Sequence, residues 1–258
     1  MRIGLASYKV ENKNTEFNIS QIERAMIKAT GKADLLCFGE AVLQGFDSLC
    51  WNYEDDKEMA ITTDSETMNR LKKLTEHYGI GIAFGYIEKD GETLYSSYAV
   101  IDAGNIVHNY RRISRGWKEF TRTDDHYREG DDTADFSFRG KKMMVGLCGD
   151  LWDYPERFKT DNLLIWPVYV NFELEEWKQR IPKYAEQAAG IADEVLMINP
   201  IDNCPISHGG AFHFHKGKLI ERIPFDTEDT LIVTTVPIFE NDTENDTETM
   251  TNLTKKLE

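Results

Sequence analysis

The chain has 258 residues, 41% hydrophobic and 29% charged, which is ample apolar content for a core. A formal net charge of −15 argues against nucleic acid and against anionic membrane as partners. No apolar run reaches the roughly 18 residues of a membrane span, and the four cysteines contain no Cys-x-x-Cys pair, so a reduced, cytoplasmic protein without a zinc knuckle or redox dithiol is expected.

Arg2 to Ser7 reads as a strand, too short and too soon followed by charge to be a signal peptide. Ile22, Ala25, Met26 and Ala29 recur at helical spacing, which predicts a helix capped at Asn18 or Ser20 and ended by Gly31. Asp34 to Phe38 is a continuous apolar run, the mark of a strand buried on both faces, and it stops at Gly39-Glu40. A second helix is predicted from Thr63 to His77. Three strands follow, over 80–87, 94–101 and 106–111, joined by Lys89-Asp90-Gly91 and Asp102-Ala103-Gly104-Asn105.

Residues 112–132 form a long charged loop, and its Trp117, Phe120 and Tyr127 favour order. A strand over 143–147 then runs into Cys148-Gly149-Asp150, with Tyr154-Pro155-Glu156 opening a helix. The remaining predicted elements are a strand over 162–166, a helix over 173–190 that Pro182 could bend, a strand over 194–199, a hairpin pairing 210–215 with 219–223, and a last strand over 230–238. No linker divides the chain, so residues 1–238 read as one α/β domain. The acidic tail, 239–258, reads as flexible, and in a cytoplasmic protein its Asn-x-Thr triplets have no bearing on glycosylation.

Three polar residues punctuate the strong strands: Glu40, Arg112 and Cys148. Residues just past strand C-termini in α/β sheets converge on one crevice. A carboxylate, a fixed cation and a thiol meeting there are what acyl transfer through a thioester needs. Cys148, at the tip of a strand and beside a glycine, is expected to be the most reactive of the four thiols. Taken singly, each of the three has an ordinary alternative: a loop acid, a surface cation and a core cysteine. His213 and His215 share a strand face, with His208 nearby. That grouping could suggest a metal, but ordinary strand residues are favoured and no metal or cofactor is expected.

In this order the residues resemble the nitrilase, or carbon–nitrogen hydrolase, superfamily. Phe38-Gly39-Glu40 followed by Gly45-Phe46 is similar to its first motif, with Gly39 in place of the usual proline. Residues 95–106 resemble its paired strands, Tyr110-Arg111-Arg112 its Tyr-Arg-Lys, and Gly146-Leu147-Cys148-Gly149-Asp150 its Cys-x-Asp nucleophile motif. The resemblance implies a four-layer α-β-β-α sandwich with two mixed sheets. It makes Glu40 the acid and base, Cys148 the nucleophile and Arg112 the counterpart of the family's lysine. It also implies a second glutamate, with Glu119 the first choice and Glu129 the fallback. Gly149 and Trp152 are expected to line the substrate site.

The implied activity is hydrolysis of a non-peptide C–N bond in a small amide, carbamoyl (ureido) compound or nitrile, by a homodimer. Two alternatives stay open. One is a catalytically silent binding protein, because arginine replaces lysine. The other is acyl transfer to an acceptor other than water.

Overall fold

A computed structural model describes residues 1–236, so the tail expected at 239–258 lies outside the described residues. Twelve strands make two six-stranded mixed sheets. The first has the order β12-β1-β2-β3-β4-β5 and the second β11-β10-β9-β8-β7-β6. In the first sheet β1 (Arg2–Ser7), β2 (Leu35–Cys37) and β3 (Gly81–Asp90) run parallel, while β4 (Thr93–Asp102), β5 (Asn105–Arg111) and β12 (Thr230–Thr235) are antiparallel additions. In the second, β7 (Lys141–Val145), β8 (Leu163–Pro167) and β9 (Glu194–Ile198) are parallel. They are flanked by β6 (Phe136–Phe138) and by the hairpin β10 (Ala211–His215) with β11 (Lys218–Ile223).

Strand periodicity builds the layers. Successive side chains point to opposite faces, so Ile3, Leu5, Leu35, Cys37 and Ala83 enter the core between the sheets. Their neighbours Ala6, Leu36, Ile82 and Phe84 pack outward against the helices α1 (Thr15–Ala29) and α3 (Glu66–Tyr78). On the other side, α5 (Leu174–Ala189) covers the second sheet with Trp177, Tyr184 and Ala188. The four-layer α-β-β-α sandwich follows.

Several boundaries differ from expectation. α1 begins earlier, because Asn14 Oδ1 accepts the Phe17 N–H at 3.1 Å. Asn18 is instead inside the helix and fully buried, tied to both peptide groups of Glu11 and to Leu43 O. Ser65 caps α3, and Gly79 ends it in the left-handed conformation. α2 (Tyr53–Met59) was not foreseen: only Tyr53 and Asp56 of it are buried, so it carries no apolar stripe. Short β6 was missed for the same lack of signal. Past Cys148 the chain forms a one-turn α4 (Asp150–Asp153) and then a 3₁₀ turn at Pro155–Arg157, rather than a single helix from Tyr154.

Candidate active site

The ends of β2, β5 and β7 deliver Glu40, Arg112 and Cys148 to one place. Arg112 Nη1 donates to Glu40 Oε1 at 2.6 Å, and both side chains are almost wholly enclosed, 3% and 0% exposed. Ser96 Oγ lies 3.4 Å from the same carboxylate oxygen. Glu40 Oε2 is buried with no hydrogen-bond partner. The Cys148 thiol and the Glu40 carboxylate lie close enough to perturb each other's ionisation. Cys148 has φ +44°, and Ala41, just after Glu40, has φ +50°. Left-handed backbone at non-glycine residues costs about 1–2 kcal/mol each, so both corners are held by the surrounding fold.

That hold centres on Asp150. Its Oδ2 accepts from the Tyr110 hydroxyl at 2.6 Å and from the Leu147 N–H at 2.9 Å. Its Oδ1 accepts from the N–H groups of Ile113 and Ser114, at 3.1 and 2.7 Å. One carboxylate thereby ties the Arg112 strand end to the Cys148 turn. Ser114 Oγ in turn accepts Arg112 Nε–H at 2.8 Å and fixes the plane of the guanidinium.

Two glycines make the close packing possible. A Cβ on Gly149 would stand 2.8 Å from Arg112 Nη2 and 3.1 Å from Ser114 Oγ, so only glycine leaves room for the arginine. Gly39, where the family has proline, abuts Pro200: a Cβ there would stand 2.3 Å from Pro200 Cδ. The proline-filled volume is thus supplied from the end of β9.

Charge sets the resting state. Burial pushes the Glu40 carboxyl above its usual range; Arg112 pulls it back down, and Asp150 adds to the rise. Burial works against the charge of Arg112, but Glu40, Cys148 and Asp150 outweigh it and keep the guanidinium ionised. The Cys148 thiol is pushed up to about 12, first by burial and then by Glu40, against the lowering effects of Arg112 and of the Tyr169 N–H. The expected lowered thiol pKa is therefore not met at rest: the cation that could lower it is spent largely on Glu40.

The other predicted residues separate. Glu119 is exposed on the loop, and its carboxylate makes no hydrogen bond or ion pair among the described residues; the structure does not bring it to the Glu40–Arg112–Cys148 group. Glu129 is partly buried and pairs with Lys118 at 2.8 Å. It precedes Gly130, whose N–H donates to Arg112 O at 2.8 Å, so it lies beside the arginine strand end. Lys118 is engaged there and is not a substitute amine on Glu40. Trp152 is 43% exposed and packs over Trp166 and edge-on to Tyr184, on the outer side of the Cys148 turn. His213 and His215 both hydrogen-bond Glu194, at 2.6 and 2.8 Å, and the other ring nitrogen of His213 meets Thr234 Oγ1 across the sheets at 2.8 Å. Asn199 and Tyr169, which border the site, were not foreseen; neither carries a sequence signal beyond its place after a strand.

No helix among the described residues is long and apolar enough to cross a membrane. The carbon-nitrogen hydrolase family pattern matches residues 3–159. Among characterised proteins, the chain is 24% identical over 223 residues to a cyanide hydratase of Penicillium rubens, covering 75% of this chain and 61% of that protein. It is 28% identical over 178 residues to a citrullinase of Francisella tularensis, covering 63% of this chain and 59% of that one. The chain thus spans about three-fifths of these relatives' length. Among solved structures, a CN-hydrolase superfamily protein of Xanthomonas campestris superposes with a TM-score of 0.73 at 17% identity, over 92% of this chain and 90% of that one. An amidase from Nesterenkonia sp. gives the same TM-score, identity and coverage. With a family match over more than half its length, the chain belongs to the carbon-nitrogen hydrolase family.

Proposed function

We propose that the protein hydrolyses a non-peptide C–N bond of a small amide, ureido compound or nitrile through a thioester on Cys148. For an amide, Glu40 Oε2 takes the thiol proton as Sγ attacks the carbonyl carbon, so the neutral resting thiol becomes nucleophilic only during attack. The oxyanion is held by the Arg112 guanidinium and by the Gly149 N–H, which makes no hydrogen bond among the described residues. Glu40 returns the proton to the leaving nitrogen as the C–N bond breaks. Water then attacks the thioester with Glu40 again as base, releasing the acid and restoring the thiol. Glu129 is the better candidate for a second acid at the site.

The observation that carries this reading is the unpartnered Glu40 Oε2, buried while its sister oxygen is fixed by Arg112. The test is incubation with a library of small amides, ureido compounds and nitriles, followed by mass spectrometry. A mass increment on Cys148 that hydroxylamine removes, and that Cys148→Ala abolishes, is the expected result. No adduct and no turnover across the library would defeat the proposal.

One observation favours a silent relative. Arg112 closes on Glu40 at 2.6 Å, a tighter engagement of the base than a site waiting for substrate requires. On that reading wild type turns nothing over, and Arg112→Lys restores a trace of amidase activity. Homodimerisation belongs to the same proposal: exposed Trp152, Tyr154 and Leu174 sit around α4 and the start of α5. So does a cytoplasmic location, which four free cysteines suit.

A further inference from the structure

The three nitrogens of the Arg112 guanidinium are used differently. Nε donates to Ser114 Oγ at 2.8 Å, and Nη1 donates to Glu40 Oε1 at 2.6 Å. Nη2 makes no hydrogen bond among the described residues, and unlike Glu40 Oε2 it is not sealed from solvent. The 3% of this side chain that solvent reaches therefore includes Nη2. Two bonds in the plane of the group hold it, and one corner stays open. Ser114 is itself fixed to the Cys148 turn, because its N–H donates to Asp150 Oδ1 at 2.7 Å. The direction of the guanidinium is thus set relative to the thiol.

Two glycines flank the open corner. A Cβ would stand 2.8 Å from Nη2 if placed on Gly149 and 3.0 Å if placed on Gly116. Nη2 is therefore a neighbour of the residue whose N–H is the other free donor. At Gly116 it is also the one atom beyond the chain neighbours that a Cβ would meet within 4 Å, and the backbone there is not left-handed. The guanidinium, not the backbone conformation, accounts for the missing side chain. These contacts need an arginine. Lysine has no Nε, so Ser114 Oγ, wholly buried, would lose its donor. Its ammonium is a compact point charge and not a planar fork, and would leave the space between the two glycines unfilled.

We propose that Arg112 Nη2 is the catalytic donor to the oxyanion, that Ser114 is the positioning residue that aims it, and that Gly116 is kept small for it, so that the site works with arginine and not with lysine. The inference rests on the reading of Cys148 as nucleophile. As the Sγ–C bond forms and the thiol proton passes to Glu40, the carbonyl oxygen takes up the negative charge. Nη2 donates to that oxygen and keeps its proton, while Nη1 stays on Glu40. When the C–N bond breaks, the carbonyl is restored and the contact weakens. A hydrogen bond to an ionised acceptor is about twice as strong as one between neutral groups. Nη2 therefore favours the transition state over the bound amide, and its aim is felt in kcat more than in KM.

The test is a mutant cycle in the full chain, read as kcat and KM on the small amide that wild type turns over fastest. It compares Ser114→Ala, Gly116→Ala and Arg112→Lys, and each of the first two combined with Arg112→Lys. Misplacement of a reacting group by about 1 Å can cost about 10²-fold, so Ser114→Ala and Gly116→Ala should each lower kcat about tenfold or more, with KM within about twofold. Arg112→Lys should lower kcat at least as much, and with lysine at 112 neither other substitution should lower it further. Equal losses in both backgrounds would mean a merely structural role and overturn the proposal, as would an Arg112→Lys protein as fast as wild type. If Ser114→Ala fails to fold, Gly116→Ala decides. Urea midpoints of the same proteins separate this from the hydrolase reading. Ser114→Ala should lower the midpoint with arginine at 112 and leave it unchanged with lysine. No turnover by any protein, with that difference present, defeats the hydrolase reading and the donor role with it, while the arginine-specific seat stands. Equal midpoint shifts in the two backgrounds overturn the seat.

Discussion

Two carboxylates lie buried within reach of Arg112 and are treated in opposite ways. Asp150 has both oxygens filled, by one hydroxyl and three backbone N–H groups. Glu40 has one oxygen paired with Arg112 and the other left without a donor. Buried polar groups are normally satisfied, and each exception calls for a reason. Burial pushes both carboxyls up and Arg112 pulls both back, but Asp150 is relieved further by hydrogen bonds from Tyr110 and Ser114. A group that holds the site has every lone pair engaged. Glu40 keeps one oxygen free, as the proposed proton transfer needs.

The same isosteric change at the two acids breaks or sharpens this contrast. Glu40→Gln should cost about 10²- to 10⁴-fold in turnover per folded molecule, the range for a lost general base, together with a lower urea midpoint, because the Arg112 charge is left buried without its partner. Because Glu40 raises the Cys148 thiol, its neutralisation should also speed alkylation at fixed pH. Falling turnover with rising alkylation is the signature; both falling together would mean Glu40 is structural.

Arg112→Ala comes next. Removing a single oxyanion donor costs about 10²- to 10³-fold in rate, and leaving Glu40 unpaired costs about 3–5 kcal/mol of stability, measurable by denaturant titration. Wild-type turnover in a folded Arg112→Ala protein would assign the cation elsewhere.

Asp150→Asn should differ from Glu40→Gln by sparing turnover per folded molecule. An amide cannot accept all four donors, and each one left buried costs about 1–3 kcal/mol. The urea midpoint should drop, with activity falling only as folded protein is lost. A stable but inactive Asp150→Asn protein would make Asp150 part of the chemistry. Ser96→Ala is the smallest test. Its 3.4 Å contact to Glu40 is long, so a change below about 1 kcal/mol is expected in both stability and rate.

Glu40, Arg112 and Cys148 were legible because strand periodicity is local and parallel strands point their C-termini the same way. Their partners were not. The 72-residue separation of Glu40 and Arg112 gives no hint that the two would form a direct pair rather than share a substrate. Glu119 and Glu129 could not be ranked from spacing: order in their loop comes from Trp117 and Tyr127 packing on Leu94 and Ile87, contacts remote in sequence. The types of its neighbours suggest a reactive thiol, whereas its pKa depends on burial and on where the Arg112 charge is spent. α2 was invisible because nearly all of it faces water.

The meeting of Gly39 with Pro200 makes two positions in different sheets mutually dependent. Restoring the family's proline at 39 in this chain would drive a ring into Pro200, and overpacking of this kind costs about 1–3 kcal/mol or more. The same replacement made together with Pro200→Ala should be far better tolerated. Moves toward the family consensus in this chain are consequently epistatic: the order in which the two residues change decides whether the intermediate folds, and a one-residue swap says nothing about either residue alone.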